Sequence, residues 1–178
     1  MNLQKRKTIV ITGMMGSGKT TIGKNLASKL KRRFFDSDHE VAKASGLSIL
    51  EIFHKYGEDY FRNGEKKVIT RLLSMKEEHI LSIGGGAFMN EELRQFINKN
   101  NISVWLDADC EILYNRLKNN WKNRPLLNGH YLKDQIRELL EKRREFYSLS
   151  HIHIKVGELR ANEITEEIIL KIKKKNHS

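Results

Sequence analysis

Five short apolar runs, separated by more polar stretches, dominate the pattern of hydrophobic and polar positions along the chain. They cover Thr8–Thr12, Arg33–Phe35, Ile80–Ile83, Ile102–Leu106 and Ile152–Val156. After the first run, Ile22, Leu26 and Leu30 repeat with the period of an α-helix. Strands that alternate with helices in this way predict an α/β fold, in which a five-stranded parallel sheet is flanked by helices on both faces.

Helix starts are marked by polar residues with capping spacing. Ser48 followed by Glu51 matches a capping box ahead of an apolar stretch, and Asn90 and Asp109 are predicted N-caps further along the chain. Near the carboxyl end, apolar residues at helical spacing predict an amphipathic helix that contains Ile164, Ile168 and Ile172.

One segment breaks this pattern. Asn119–Gly129 is polar, rich in asparagine and holds the single proline of the chain, which predicts an exposed loop between two helices. The loop carries the cations Lys122 and Arg124. It is therefore either a lid that closes over a ligand or an ordinary connection.

Length and composition favour one globular unit that spans residues 1–178. Hydrophobic residues make up 39% of the chain and charged residues 31%, which is ordinary for a water-soluble protein. No apolar run approaches the length of a membrane helix, and no apolar signal segment precedes the first strand, so we expect a cytoplasmic protein that does not enter membranes. The single cysteine, Cys110, excludes an internal disulfide and is expected to pack as a small hydrophobe.

The net charge of +11 raises the question of a nucleic-acid partner. Much of the excess lies in Lys5–Lys7, Lys29–Arg33 and the tail Lys171–Lys175. Aromatic residues that could stack on bases are not interleaved with these runs, which favours solvated surface. A basic cleft also attracts nucleotides and acidic substrates, so we expect no nucleic-acid partner.

The segment from Gly13 to Thr20 reads Gly-Met-Met-Gly-Ser-Gly-Lys-Thr and fits the phosphate-loop pattern at every required position. Glycines let backbone N–H groups surround a phosphate at the positive end of the next helix. Lys19 would reach the β- and γ-phosphates, and the Thr20 hydroxyl would bind Mg²⁺. Because a predicted strand precedes the loop and a helical pattern follows it, a nucleotide site is favoured over a plain glycine-rich turn.

Two carboxylates, Asp36 and Asp38, come directly after the second predicted strand. Ligands bind at the carboxyl ends of strands in such sheets, and Mg²⁺ is held by one or two carboxylates. One aspartate could position the metal while the other accepts a proton from a substrate hydroxyl. A helix cap is the alternative, and the two roles can coexist.

Two further features suit a small acidic substrate. Arg62 adjoins aromatic residues inside a predicted helix, and the planar fork of arginine matches a carboxylate. Gly84, Gly85 and Gly86 follow the third strand and leave backbone N–H groups open to a ligand.

Taken together, the motifs between Gly13 and Tyr147 resemble those of the shikimate kinases, in the nucleoside-monophosphate-kinase-like group of phosphate-loop proteins. The resemblance rests on the phosphate loop, Asp36 and Asp38, Gly57-Glu58 with Phe61-Arg62 and Glu65, the triple glycine, Arg124-Pro125-Leu126-Leu127, and Arg143 with Tyr147 four residues later. It implies a three-layer phosphate-loop kinase fold with a lid loop at about 119–129. The implied reaction is ATP-dependent phosphorylation of the 3-hydroxyl of shikimate, on the way to aromatic amino acids.

The resemblance also implies roles for single residues. Catalytic roles fall on Lys19, Asp38 and Arg124. The nucleotide would be bound by Gly13, Gly16, Ser17, Gly18, Lys19, Thr20, Thr21, Arg124 and Arg160, with Mg²⁺ on Thr20 and Asp36. Shikimate would be bound by Asp38, Phe53, Phe61, Arg62, Glu65, Gly84, Gly85, Gly86, Pro125, Leu126 and Arg143. We expect a monomer.

Two departures and two rival functions stay open on the sequence alone. The chain is one residue longer than usual between Arg116 and Arg124, which leaves a contact of Arg116 with adenine undecided, and Val156-Gly157-Glu158 stands where Val-Asp-Thr is usual. A gluconate-type or nucleoside-monophosphate kinase is the nearest rival. A phosphate-loop regulatory protein that has lost catalysis is the other.

Overall fold

The computed structural model describes residues 7–157 and 159–176, in which five strands form one parallel sheet with the order β2-β3-β1-β4-β5. The strands are β1 Ile9–Thr12, β2 Arg33–Asp36, β3 His79–Ser82, β4 Ile102–Ala108 and β5 Ile152–Val156. All five predicted strands are confirmed, and the largest difference is that β4 runs on to Ala108.

In the part of the chain that the structure describes, seven α-helices flank this sheet, so the predicted α/β architecture is confirmed. They are α1 Lys19–Leu30, α2 Ser37–Ser45, α3 Ile49–Leu73, α4 Glu91–Asn100, α5 Cys110–Leu117, α6 Leu132–Tyr147 and α7 Ala161–Asn176. Helix α3 is broken at Gly57, where φ is +82°, a value that side chains strongly disfavour. Short 3₁₀ turns lie at Ala87–Met89 and Trp121–Asn123.

The core lies on both sides of the central strands. Every residue of β1, β3 and β4 is buried, as expected for parallel strands covered on two faces. In the edge strand β5, buried and exposed residues alternate. This difference explains why the inner strands read as continuous apolar runs in the sequence.

The three predicted N-caps all occupy N-cap positions, and two of them bond to the helix through their side chains. Ser48 and Glu51 form the expected capping box, and Asn90 Oδ1 accepts a hydrogen bond from the backbone N–H of Leu93 at 2.9 Å. Asp109 occupies the N-cap position of α5, but its side chain makes no capping bond. The predicted cap position is thus confirmed, whereas the carboxylate pairs with Lys155 Nζ at 2.8 Å, across the β4–β5 edge.

Several cations of the basic runs are paired with carboxylates from neighbouring elements. Lys29 pairs with Glu166, and Arg32 Nη2 lies 2.7 Å from Glu78 Oε2. Lys5 and Arg6 lie outside the described residues. Cys110 is partly buried, with its Sγ 3.7 Å from the carbonyl oxygen of Lys133.

Within the part of the chain that the structure describes, no helix combines the length and the apolar character needed to cross a membrane.

The strand order brings chemistry-bearing loops together at one edge of the sheet. Strand β3 lies between β1 and β2, so the segments that follow these three strands are neighbours at their carboxyl ends. The chain then crosses to β4 on the other side of β1, which makes this edge a topological switch point. Ligands bind at such points in open α/β sheets.

Candidate active site

The segment between β1 and α1 forms a compact loop with its glycines in conformations that other residues rarely adopt. Gly13 and Gly18 have φ values of +137° and +97°. A Cβ on Gly13 would also stand 2.7 Å from the carbonyl oxygen of Leu106 in β4. The loop therefore depends on glycine both for its backbone path and for its close packing against the sheet.

Lys19, the first residue of α1, reaches across this loop. Its Nζ donates hydrogen bonds to the carbonyl oxygens of Gly13 and Met14, both at 2.9 Å. Burial lowers the pKa of Lys19 to about 8, although the nearby Asp38 and Asp36 carboxylates act in the opposite direction. The ammonium is thus held at the mouth of a loop of the shape that binds phosphate.

Thr20 and Asp36 bring two hard oxygen atoms together beside the loop. The Thr20 hydroxyl donates to Asp36 Oδ2 at 2.8 Å, while Asp36 Oδ1 caps α2 by accepting from the backbone N–H of Asp38 at 3.2 Å. Because one carboxylate oxygen makes the cap and the other faces Thr20, the predicted cap and metal roles are compatible on one side chain. Among the described residues no group of three or more His, Cys, Asp or Glu could hold a metal. Mg²⁺ needs no such cage, because it takes one or two carboxylates together with substrate phosphates.

Asp38 is a half-buried acid of the site. Its Oδ1 is buried and has no hydrogen-bond partner among the described residues. Burial raises the pKa of Asp38, and Asp36 adds to the effect, whereas Lys19 and Arg124 oppose it. A carboxylate with a free oxygen and a raised pKa is suited to accept a proton from a hydroxyl.

Arg62 is held on α3 by two acids of its own helix. Its Nη1 donates to Glu65 Oε2 at 2.7 Å, and its Nη2 donates to Glu58 Oε1 at 3.0 Å. The guanidinium also lies over the Phe61 ring, 5.0 Å from its centroid. Burial raises the pKa of Glu65 to about 7, although Arg62 opposes the shift. These contacts fix the direction of the Arg62 fork.

Arg143 reaches the same place from α6 and is 7% exposed. It forms no ion pair with a carboxylate among residues 7–157 and 159–176, and its Nη1 lies 3.9 Å from Met14 Sδ. A buried cation without an anionic partner is costly. Its position therefore indicates a site for an anion.

Each glycine of the triple-glycine loop accommodates a functional side chain. A Cβ on Gly84 would collide with Glu65 and stand 2.9 Å from Asp38 Oδ1. A Cβ on Gly85 would lie 3.2 Å from Arg143 Nη1, and one on Gly86 would lie 2.5 Å from the guanidinium carbon of Arg62. The loop can thus pack directly against the acids and both arginines.

These elements enclose a cavity of about 170 Å³ with one apolar wall and one charged end. All the residues predicted to bind shikimate line it, together with Met15, Ile49, Asn123 and Arg124. Its apolar wall contains Phe53 and Phe61, whose ring centroids are 4.9 Å apart. The cavity combines a surface for a small carbon ring with two arginines for an acid group.

A second cavity of about 420 Å³ lies along the phosphate loop. Among the residues predicted to bind nucleotide or metal, those lining it are Gly16, Gly18, Lys19, Thr20, Thr21, Asp36 and Arg124. Asp38 and Arg124 line this cavity as well as the smaller one. A chemical group that passes from a ligand in one cavity to a ligand in the other could therefore stay in contact with both of these side chains.

A third cavity of about 220 Å³ lies on the far side of the loop, and Ser17 lines it rather than the second one. Arg116 also lines it and donates to the carbonyl oxygen of Gly16 at 3.0 Å. Arg160 is not among the lining residues, although its neighbours Leu159 and Ala161 are. Glu158 lies outside the described residues.

The sequence predicts an exposed loop at 119–129, but in the structure this loop is partly packed. Leu127 is 7% exposed and belongs to the core, which corrects that prediction. The ring of Trp121 lies against Gly129, where a Cβ would stand 2.6 Å from it. Between these anchors, Lys122 and Arg124 are exposed.

Sequence reasoning missed some residues of the site. Met15 occupies a variable position of the phosphate-loop pattern, yet it lines both main cavities. Ser37 Oγ accepts a hydrogen bond from the backbone N–H of Gly84 at 2.9 Å and so connects α2 to the triple glycine. No spacing in the sequence signals either contact.

Comparison with known proteins gives consistent results. Residues 15–173 match the family model described as "Shikimate kinase". A shikimate kinase from Zymomonas mobilis is 44% identical over 164 residues, which is 92% of each chain. The structure of a shikimate kinase from Acinetobacter baumannii in complex with shikimate superposes with a TM-score of 0.91 and 35% identity, and the match covers 97% of this chain and 96% of that one.

A gluconokinase from Sinorhizobium meliloti also superposes, with a TM-score of 0.65 and 17% identity over 96% of this chain and 93% of that one. At this identity the likeness extends to the fold alone.

Proposed function

The chain belongs to the shikimate kinase family, and we infer that it is an ATP-dependent enzyme that phosphorylates shikimate. The acceptor is the 3-hydroxyl, and the products are shikimate 3-phosphate and ADP. The observation that carries this proposal is the pair of arginines at one end of an apolar-walled cavity. One of them, Arg143, is buried without an anionic partner in the described part of the chain, and Asp38 lines both this cavity and the one along the phosphate loop.

On the nucleotide side, the backbone N–H groups of the phosphate loop and Lys19 bind the phosphates of ATP. Thr20 and Asp36 would hold Mg²⁺, which fits their paired oxygens. The ion would supply positive charge beside the phosphates of ATP. Gly13, Gly16, Ser17, Gly18 and Thr21 complete the loop site, and Arg160 lies toward the base.

On the acceptor side, Arg62 and Arg143 bind the shikimate carboxylate. Two guanidinium groups match one carboxylate because each offers a fork of N–H donors. Phe53, Phe61, Pro125 and Leu126 contact the ring, while Glu65 holds Arg62 in position. Gly84, Gly85 and Gly86 let the substrate approach the backbone.

Asp38 accepts the proton of the 3-hydroxyl as the phosphoryl group is transferred. Its position between the cavities and its raised pKa support this role. Lys19 and Arg124 neutralise charge on the transferring group, which matters most because a loose phosphoryl-transfer transition state needs alignment and electrostatic stabilisation more than covalent help.

The segment 119–129 acts as a lid that brings Arg124 over the phosphates. Its anchors at Trp121 and Leu127 and its exposed central cation support a hinged closure. We further propose that residues 1–178 form one domain that works as a monomer in the cytoplasm, where ATP is supplied. Neither a nucleic acid nor a membrane is needed as a partner.

The test is a coupled ADP-release assay with shikimate, quinate, gluconate and nucleoside monophosphates side by side. Activity with shikimate alone is expected, because only shikimate among these compounds combines a carboxylate for the arginines with a cyclohexene ring for the apolar wall. Turnover of gluconate or a nucleoside monophosphate without turnover of shikimate would overturn the proposal. A gel-shift assay across salt concentrations tests for nucleic-acid binding.

A further inference from the structure

Tyr147, the last residue of α6, is a fully buried tyrosine that the proposed reaction does not use. It is 0% exposed, and its ring packs against Trp105 with the centroids 5.9 Å apart. Its hydroxyl donates a hydrogen bond to the carbonyl oxygen of Gly85 at 2.5 Å. The side chain thus connects α6 to the middle of the triple-glycine loop.

The direction of the hydrogen bonds at this hydroxyl is fixed by chemistry. The Gly85 carbonyl can only accept, so the single hydroxyl proton of Tyr147 points to it. The Arg143 guanidinium, one helical turn earlier on α6, lies next to the hydroxyl and can only donate. Burial raises the pKa of Tyr147 to about 12, which keeps the proton in place at physiological pH.

Gly85 is packed tightly around this contact. A Cβ there would stand 3.4 Å from the Tyr147 oxygen and 3.2 Å from Arg143 Nη1. It would also lie 3.2 Å from the carbonyl oxygen of Gly13, which accepts from Lys19. A shift of the Gly85 carbonyl would therefore move the arginines that are proposed to bind the substrate carboxylate, Arg62 and Arg143, relative to the phosphate loop.

We propose that Tyr147 is a positioning residue for the acid substrate: its hydroxyl, held between Arg143 and the Gly85 carbonyl, fixes the triple-glycine loop and the Arg143 fork in the arrangement that binds shikimate. This inference rests on the proposed function. Tyr147 lines neither main cavity and acts through Gly85 and Arg143, which do line the smaller one.

Tyr147→Phe removes the hydroxyl and keeps the ring against Trp105. The expected result is a rise of about tenfold in KM for shikimate, with KM for ATP and kcat changed by no more than about twofold. Ser103→Ala is the matched control, since it removes a buried hydroxyl that donates to Asn98 Oδ1 at 2.7 Å near the opposite end of the sheet. This control should lower stability without moving either KM.

A double-mutant cycle with Arg143→Lys separates positioning from general stability. Because Tyr147 acts through Arg143, removing its hydroxyl should raise KM for shikimate less in the Arg143→Lys background than in the wild type. Four outcomes would each overturn the inference: additive effects of the two substitutions, an unchanged KM for shikimate, equal rises in both KM values, or a Tyr147→Phe protein that does not fold.

A readout without substrate separates this inference from the proposed function. In the structure the Gly84 amide donates to Ser37 Oγ, and the Ala87 amide donates to the Gly84 carbonyl. Both amides should exchange faster in the nucleotide-free Tyr147→Phe protein than in the wild type and the Ser103→Ala control. Unchanged exchange contradicts the inference. A wild-type protein that is inactive with shikimate contradicts the proposed function instead.

Discussion

Arg62 lies so close to Gly86 that a Cβ on this glycine would stand 2.5 Å from its guanidinium carbon. Gly86 itself has φ −89° and ψ −16°, which any residue can adopt. Glycine is therefore required here by the neighbouring arginine and not by the backbone. The triple glycine serves the packing of charged side chains at least as much as the approach of a ligand.

Gly86→Ala should displace the Arg62 fork and leave the fold in place, because the group in its way is the mobile end of a long side chain. We expect KM for shikimate to rise by about tenfold or more, with KM for ATP nearly unchanged. Steady-state kinetics with each substrate varied in turn measure the split.

Gly64→Ala is the matched control for this substitution. Gly64 lies within α3, and apart from its own turn of helix no described residue comes within 4 Å of the position that its Cβ would take. The alanine should keep both KM values and stabilise the helix by about 0.5–1 kcal/mol. If Gly86→Ala behaves like this control, Arg62 does not bind the acid group.

Asp38→Asn should lower kcat by about 10²-fold or more while ATP binding persists, because the amide keeps the shape of the side chain but cannot accept a proton. Titration calorimetry with an ATP analogue, beside turnover assays, measures both quantities. Loss of nucleotide affinity with shikimate affinity intact would mean that Asp36 and Asp38 have exchanged roles.

The position and pKa of Lys19 predict a large loss of turnover on substitution and a fall of kcat/KM for ATP at alkaline pH. Lys19→Ala should lower turnover by about 10²-fold or more, since one preorganised charge is typically worth a few kcal/mol in the transition state.

In the wild type, kcat/KM for ATP should fall as the pH rises through about 8, because the Lys19 ammonium then loses its charge. Lys19→Arg should remove this alkaline limb, and a limb that persists would assign it to another group.

The sheet and the phosphate loop could be predicted because their signals are local. Buried parallel strands require continuous apolar runs, and the loop requires glycine and lysine at fixed spacing, so both are readable within a few residues of sequence. Asp109 shows where local reasoning fails. Its cap position was predicted correctly, but its carboxylate is bound by Lys155 from another strand.

The site could be predicted only in part for the same reason. The resemblance supplied most of the residues that line the smaller cavity. Met15 lines the cavities, and Ser37 and the Tyr147 hydroxyl contact the triple-glycine loop, only because of tertiary packing. Arg116 illustrates the point further. Its place beside the phosphate loop depends on how α5 packs, and the sequence left it open.

Glu65 predicts a pH dependence of stability. Burial raises its pKa in the folded protein to about 7, above its ordinary value of 4.5, so the folded state binds more protons than the unfolded state between these values. The free energy of unfolding should therefore fall as the pH rises from about 4.5 to 7, by up to about 3 kcal/mol. Urea unfolding at several pH values measures the slope, and Glu65→Gln should remove this share. A variant that keeps the full wild-type slope would contradict the prediction.

Arg124 is exposed, yet it lines both main cavities from a loop that is anchored at Trp121 and Leu127. A cation in this position would contribute most when the loop closes over both substrates. An interaction made chiefly in the closed, transition-state-like complex lowers kcat more than it weakens ground-state binding.

Arg124→Ala should therefore depress kcat by about 10²-fold or more, because it removes one charge from the transferring phosphoryl group. Shikimate binding without nucleotide should stay nearly intact, and stability should stay within about 0.5 kcal/mol because the side chain is exposed. Lys122→Ala is the matched control and should keep full activity, because Lys122 is an exposed cation of the same loop that lines neither cavity.

Amides of residues 119–129 should exchange quickly in the free protein and slow only when an ATP analogue and shikimate are both bound. Protection of this loop in the free protein, or an Arg124→Ala variant that fails only in substrate binding, would make Arg124 part of a static pocket wall.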